Sequence, residues 1–575
     1  MSVPTPLIHD RYPTLLHGLL AHAARTPAAL LYRVIADDEQ IRTATWAEFL
    51  SLTRRAASLL TAHGVGPGTR VVLMLPNSME FLVAFFATLW CGAIAVPASR
   101  PRKASNAERL SAVLAAASPE LLVCLDGDTG MLAELFAATG VAPRLLALDW
   151  EAIEAQVECP VPDPLPAPDD FALIQFTSGS TSAPKGIVVS QGNLAVNIEM
   201  MNRAYAKHRG TRALSWLPVF HDAGLVCMAI SPAIHGGSLT LSTPQRFIRK
   251  PRSWLDDIGR YGITCTGAPN FAFDLAIRMG GSANGLDLST LDTLWNGAET
   301  VNADTLRGFV KKFAPCGFRE QAINPAYGLA EATIGVAGGP PGEGATIGRF
   351  DAMQLASGIA QRSEAADAVT LVSAGAPGWN TEIRIVDPQT RAVLPDGRIG
   401  EIWIAGPQIA QGYWQRPEET AATFAVRTAD GSGPWLRSGD LAFLLDKRLY
   451  ISGRIKETII VRGRNLSPDE IELVCAKAVP ALPLSQIVAV AVQGNAESVG
   501  VIVEFPGAQK EACDAIAGAF RIAVARTLDV TLADILFVDA MSIPRTSSGK
   551  KQRLLAAKLR AAKPEKLLHI NSLAA

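Results

Sequence analysis

No sign of charge dominates this sequence: 53 Lys and Arg stand against 54 Asp and Glu, a formal net charge of −1. Nothing global therefore draws the chain to nucleic acid or to an anionic membrane surface, and no nucleic-acid partner is expected. The eight cysteines (Cys91, Cys124, Cys159, Cys227, Cys265, Cys316, Cys475, Cys513) contain no CxxC pair. That argues against a disulfide framework or a zinc site and for buried free thiols in a reducing compartment. The opening MSVPTPLIHDRYPTLL lacks the basic-then-apolar order of a signal peptide, so the expected location is cytoplasmic. The longest apolar run, residues 81–97, is short for a membrane span, and Gly92 breaks it before the β-branched residues 94–96. It reads as a buried helix followed by a buried strand, with no integral membrane segment.

What is present is a chain of 575 residues, 49% apolar and 19% charged, which is too long for one hydrophobic core and implies two or more domains. Residues 15–25 and 45–63 carry apolar side chains at helical spacing. Residues 71–75 read as a strand, and Asn77 with Glu80 three positions on predicts a capping box for the next helix. Further strands at 121–125 and 145–148 alternate with helices, which indicates an α/β fold with mainly parallel sheets. Residues 159–170, with five prolines, read as a linker or surface connection.

That connection leads into residues 171–190, FALIQFTSGSTSAPKGIVVS. Two runs rich in β-formers flank a segment of hydroxyls and glycines that ends in Lys185. Such a segment suits a phosphate chain: glycine lets backbone approach closely, N–H and O–H groups donate, and lysine adds charge. It is not a Walker A loop, because no Gly-Lys-Ser/Thr leads into a helix; Pro184 precedes Lys185 and the loop closes a hairpin. A polar turn between strands is the alternative. Farther on, SWLPVFHDAGL (215–225) places His221 between a strand and a glycine turn, as a site candidate or a satisfied structural histidine. GAPNF (267–271), LWNGAETV (294–301) and NPAYGLAEAT (324–333) each resemble strand ends that present backbone to a ligand. Tyr327 offers a flat face for a base, or is a core aromatic. Glu331 offers a carboxylate for Mg²⁺, or one favoured by a helix dipole.

TSGSTSAPKG, the Tyr-Gly-Leu-Ala-Glu set at 327–331, RSGDL (437–441), GRIKETIIVRGRNLSP (453–468) and PRTSSGKKQR (544–553) follow in that order. Together they resemble the adenylate-forming superfamily of acyl- and aryl-CoA synthetases, peptide-synthetase adenylation domains and luciferases. SWLPVFHDAGL, GAPNF, NGAETV, NPAYGLAEAT and GRNLSP, with the long segment 334–372, are most similar to fatty acyl-AMP ligases. That segment resembles the insertion that separates these ligases from acyl-CoA synthetases, and its charged, Ala-rich middle is otherwise a solvated loop. The resemblance implies a large N-terminal part of three α/β subdomains with parallel-type sheets, residues 1–454. It also implies a hinge at 455–456 and a small mobile α+β C-terminal domain, residues 457–575.

By the same resemblance, a carboxylate attacks the α-phosphate of Mg-ATP and yields an acyl-adenylate and pyrophosphate. Thr177, Ser178, Gly179, Ser180, Thr181 and Lys185 would hold the β- and γ-phosphates. Glu331 would hold Mg²⁺ and Thr333 would meet the α-phosphate. Tyr327 would lie against adenine, with Gly328 beside it and Gly297, Ala298 and Glu299 lining the pocket. Asp440 and Arg454 would take the ribose; without this context Asp440 is a turn residue. Lys550 would bridge carboxylate and α-phosphate, a role worth roughly 3–4 kcal/mol, while Lys551 reads as surface charge. Lys456 falls at the hinge, and Ser467, Pro468 and Glu470 read as N-cap, N1 and N3 of the next helix.

Two positions depart from the family pattern: Gln191 stands where histidine is frequent, and Ala223 where methionine is. Neither removes a group the reaction needs. The resemblance favours a medium- or long-chain fatty acid in a tunnel near His221, Cys227 and residues 268–271. The acyl group would then pass to the phosphopantetheine of an acyl carrier protein of a polyketide or peptide synthetase. The alternative is a long-chain acyl-CoA synthetase. Asp222 keeps open an amino-acid-activating enzyme, and a catalytically silent nucleotide- or lipid-binding module is a further reading. The basic stretch 545–566 would dock an acidic carrier or form the Lys550 loop and a solvated helix face.

Overall fold

The computed structural model describes residues 12–101, 104–139, 143–177, 184–366, 368–461, 464–492, 498–507, 509–545, 550–562 and 567–572. Ser178, Gly179, Ser180 and Thr181, and the loop at 546–549, lie outside the described residues.

The alternation of apolar strand and helix builds two large sheets. In the first, Arg70–Leu73, Ile94–Pro97, Leu121–Cys124 and Arg144–Ala147 run parallel, and Phe171–Thr177 joins beside Ile94–Pro97. Phe171–Thr177 then turns back antiparallel onto Lys185–Ser190, the expected hairpin, and Gly412–Tyr413 adds the last strand. In the second, Arg212–Ser215, Ser238–Leu241, Cys265–Ala268, Thr293–Asn296 and Ile323–Gly328 are parallel. Gly335–Gly338 and Ala376–Pro377 extend it antiparallel at one edge.

One apolar core joins both sheets, and helix Met79–Trp90 lies inside it with every residue except Glu80 buried. A helix apolar all round has no face to give to water. Burial of a side chain such as Phe81, Phe85 or Phe86 contributes about 1.5–3 kcal/mol. Among the described residues no helix is long and apolar enough to cross a membrane. The expected Asn77–Glu80 box is not formed. Ser78 caps this helix, its hydroxyl accepting from the Phe81 N–H at 3.2 Å. Asn77 is drawn away because the second sheet satisfies all of its groups: it donates to the Leu217 and Ser242 carbonyls at 2.8 Å and accepts from Val219 N–H at 3.0 Å. Glu80 accepts from the Trp150 indole.

An antiparallel sheet of Glu382–Val386, Gly400–Ala405, Leu436–Leu445 and Arg448–Arg454 follows. Segment 334–372 is more ordered than a solvated loop. After Gly335–Gly338 it forms a ribbon of Ile347–Phe350 with Val369–Val372 and a short helix, Ala352–Ala356. Phe350 enters a cluster with Phe443 and Tyr450, its ring 5.1 and 5.4 Å from theirs. Arg362 in its exposed middle pairs with Asp446 at 2.7 Å.

Residues from Ile459 to Phe537 build a separate apolar core under helices Pro468–Ala478 and Lys510–Leu528. Their sheet holds Ile487–Ala491, Val499–Glu504, Leu532–Val538 and Leu567–Ser572, with one parallel pair. Ala356 of segment 334–372 packs against this core. Helix Pro468–Ala478 begins at Ser467 with Pro468 as N1, as expected, but the Ser467 side chain makes no capping bond. Glu470 is desolvated, which pushes its carboxyl up to about 7.

Candidate active site

The hairpin strands set the first cation. Register pairs Thr177 with Lys185, so the ends of the glycine- and serine-rich segment are held side by side. Lys185 forms an ion pair with Glu419, which also takes Arg416 at 2.6 Å. Its ammonium lies 4.8 Å from the centroid of the Tyr413 ring. The Tyr413 hydroxyl donates to Oε1 of Glu331 at 3.0 Å. Burial raises the Glu331 carboxyl above its ordinary range, opposed by the bond from its own backbone, by Tyr413 and by the Arg454 charge. A buried carboxylate of this kind is short of positive charge.

Beyond the strand Ile323–Gly328 the chain is tightly constrained. A Cβ on Gly328 would sit 1.9 Å from the Ile334 carbonyl oxygen, so no other residue fits there. Thr333 is buried, holds φ at +65°, and donates its hydroxyl to the Gln408 carbonyl at 2.7 Å. Ala298 holds φ at +70°, next to Gly297, whose Cβ would meet the Ala326 carbonyl oxygen at 2.8 Å. A β-branched residue at positive φ is a steric outlier, and such strain concentrates where a chain clamps a ligand.

Tyr327 and Asp440 meet at the same place. The phenol donates to Oδ2 of Asp440 at 2.7 Å, and Arg454 Nε lies 2.6 Å from Oδ1. Asp440 is buried while Arg454 reaches solvent. Behind them the buried Glu401 accepts from Arg437, from the Trp403 indole at 2.9 Å and from the Gly439 N–H at 3.1 Å, fixing the turn that carries Asp440. Lys456 is exposed in the turn after Arg454, where Ile455 N–H donates to the Gly439 carbonyl at 3.0 Å.

His221 lines a small, partly open pocket together with Pro97, Ser99, Leu110, Phe176 and Phe220. Of the residues expected near an acyl tunnel (His221, Cys227 and 268–271), His221 lines this pocket. Cys227 and Ala268 are packed in the core; the Trp295 ring crosses Gly267, where a Cβ would be 2.2 Å from it, and stacks on Tyr205. Asp222 opens a π-helix, Ala223–Ala229, and accepts from the Ala223 N–H at 2.7 Å. Ala223 is half-buried, and Gln191 is buried. Burial raises the Asp222 carboxyl, and the Lys550 charge opposes it. Burial likewise raises Glu299, whose Oε1 accepts from the Phe271 N–H at 2.6 Å, with Lys551 and Lys550 acting against it. Lys550, from the far end of the chain, therefore adds positive charge at Asp222 and Glu299.

Lys551 is not surface charge. Its ammonium is buried against Glu472 at 2.6 Å and the Leu484 and Ile487 carbonyls at 2.8 and 2.7 Å. Nor is the helix Arg553–Ala562 a plain solvated face: Arg553 contacts Glu457, Asp469 and Glu472, and Arg560 pairs with Asp534. Sequence reasoning passed over Tyr413, Glu401 and Arg553. For Tyr413 the available signal was Gln411-Gly412-Tyr413-Trp414, a glycine and two aromatics after an apolar strand. Glu401 has no local signal, and Arg553 is marked only as the last residue of the quoted stretch 544–553.

Residues 19–414 match the family described as AMP-binding enzyme. The 4-hydroxyphenylalkanoate adenylyltransferase of Mycobacterium marinum is 36% identical over 93% of this chain and 89% of its own length. The long-chain-fatty-acid–AMP ligase of Mycolicibacterium smegmatis is also 36% identical, over 88% of this chain and 87% of that one. A structure from work on fatty acyl-adenylate ligases of E. coli and L. pneumophila superposes with a TM-score of 0.87 at 28% identity, covering 97% of this chain and 98% of the other. Fold, motif order and relatives agree: the chain belongs to the AMP-binding enzyme family, the adenylate-forming ligases.

Proposed function

We propose that this enzyme is a fatty acyl-AMP ligase: it activates a medium- or long-chain fatty acid with ATP, then delivers the acyl group to a phosphopantetheinylated carrier protein. The observation that carries the first half is the convergence of Lys185, Glu331, Thr333, Tyr327, Asp440 and Arg454 beside one strand end, with the Lys550 charge acting on Asp222 and Glu299. A carboxylate oxygen of the acid attacks the α-phosphorus, the bond to the bridging oxygen breaks, and pyrophosphate leaves. The protein's work in such a step is positioning and charge stabilisation.

In this reading Thr177 and Lys185, with Ser178, Gly179, Ser180 and Thr181, take the β- and γ-phosphates. Tyr327, Gly328, Gly297, Ala298 and Glu299 frame adenine, and Asp440 with Arg454 takes the ribose. Thr333 meets the α-phosphate, His221 borders the acyl entrance, and Lys550 donates to the carboxylate and α-phosphate together. Among the described residues no three His, Cys, Asp or Glu side chains converge on one point. One carboxylate is what Mg²⁺ asks of a protein when phosphates and water complete its shell. The charge-poor Glu331 fits that demand, and the ion would neutralise phosphate charge there.

Residues 1–454 form the body of the enzyme, 455–456 the hinge, and 457–575 a lid that closes over the site. Contact between helix Ala352–Ala356 and the C-terminal core supports carrier-protein delivery over CoA, because the insertion thereby holds the lid. The test supplies the purified protein with ATP, Mg²⁺ and a ladder of fatty acids and 4-hydroxyphenylalkanoates. CoA and a pantetheinylated carrier go in separate tubes. Acyl-AMP that persists with CoA and discharges onto the carrier is expected. Rapid acyl-CoA formation overturns the delivery reading, and no adenylate with any acid overturns the proposal.

A further inference from the structure

Lys550 sits between two anchored cations. On one side Arg545 donates to the Ser485 carbonyl and lies 3.4 Å from Glu504. On the other, Lys551 is buried against Glu472 and two carbonyls. Arg545 and Lys551 pair as a β-bridge, and Gln552 N–H donates to the Pro544 carbonyl at 2.9 Å, so the ends of the loop are clamped together. Arg553 comes next, and its side chain is only 13% exposed. Its guanidinium meets three carboxylates, two from helix Pro468–Ala478 and one from the turn at 455–457. Nε and Nη2 take Glu472 at 2.9 and 3.1 Å. Nη1 takes Glu457 at 2.9 Å, in the turn that follows Arg454 and Lys456. Nη2 also takes Asp469, whose other oxygen accepts from the Thr300 hydroxyl at 3.0 Å. Thr300 follows Glu299, one of the two carboxyls that feel Lys550.

We infer that Arg553 is a positioning residue that couples the turn at Glu457 and the contact at Thr300 to the placement of Lys550. Its planar fork spans carboxylates in fixed directions, which a lysine does not reproduce. A change of backbone direction at 455–457 moves Glu457 off Arg553, and the guanidinium then shifts on Asp469 and on Glu472, the carboxylate that also holds Lys551 beside Lys550. The inference rests on the reading of Lys550 as the donor in adenylate formation.

The test is a double-mutant cycle read by ATP–pyrophosphate exchange with dodecanoate. Glu457→Gln severs the hinge leg and leaves Arg553 two carboxylates; it is expected to lower kcat about tenfold with KM for ATP within twofold and an unchanged thermal midpoint. In a Lys550→Ala background the same change is expected to cost less than twofold, because both act through one group. A tenfold loss in both backgrounds, or no loss in either, overturns the coupling while the Lys550 reading stands. Wild-type exchange by Lys550→Ala alone removes that reading and the inference with it. Arg553→Lys, which can fail to fold around three carboxylates, serves as the second variant. It is expected to show less than a tenth of wild-type kcat, and full activity would overturn the role of the fork.

Discussion

The Tyr413 hydroxyl donates to Glu331 at 3.0 Å while the same ring lies under the ammonium of Lys185, so one aromatic side chain spans the two groups assigned to the phosphates and their cation. The bond favours ionised Glu331 against the burial that raises its carboxyl. In Tyr413→Phe that support is gone and the carboxyl rises further. An activity that needs the carboxylate is lost as pH falls through its pKa, so the acid limb of the kcat/KM profile for Mg-ATP moves to higher pH. A profile unchanged from wild type would show that Glu331 does not limit that limb.

Asp440 is held by Tyr327 and Arg454 and is proposed to take the ribose. Asp440→Asn keeps the shape and removes the charge. The expected result is a KM for ATP at least tenfold higher with kcat within about threefold, the signature of binding lost equally in ground and transition states. A fall in kcat alone would place Asp440 in the chemistry instead.

Ala298 at φ +70° carries strain that glycine would not. Ala298→Gly relieves about 1 kcal/mol and adds up to about 1 kcal/mol of unfolded-state freedom. The thermal midpoint should therefore stay within about 2 °C, while KM for ATP rises severalfold as the proposed adenine wall loosens. Calorimetry and initial rates decide it.

Ala356 of segment 334–372 lies against the C-terminal core. Ala356→Glu sets a carboxylate against apolar surface and should loosen that contact. With CoA as acceptor, acyl-CoA formation is expected to rise about fivefold or more, while adenylate formation without acceptor changes less than twofold.

Burial pushes the Glu470 carboxyl up to about 7, from about 4.5 in the unfolded chain. A raised folded pKa means the protonated form contributes stability that is complete below about 4.5 and lost as pH rises through about 7. Wild type should thus unfold at lower temperature at pH 8 than at pH 5. Glu470→Gln should flatten that dependence and be the more stable protein at pH 8.

Much of this architecture is legible in short stretches, because the hairpin around Lys185, the helix at 79–90 and the strand-end glycines are each specified by neighbours in the chain. Gly328 was visible as a glycine after a strand, though the reason for it, the Ile334 carbonyl, belongs to the fold. Partners far apart in sequence were not legible. Lys550 and Lys551 look alike as letters; what separates them is Glu472, 79 residues earlier, which draws only one of them inward. Asn77 carried a capping signature and was claimed by the backbone of another sheet. Glu401 orders the turn of Asp440 from 38 residues away, as its bond to Gly439 shows, and nothing beside it marks the role.

The pairing of Thr177 with Lys185 also limits how this protein can vary. Side chains alternate faces along a strand, so one residue gained or lost within either arm turns Lys185 away from Glu419 and Tyr413. What the two strands must conserve is therefore parity rather than identity, whereas the segment between them is held to its residue types by the phosphates it is proposed to bind.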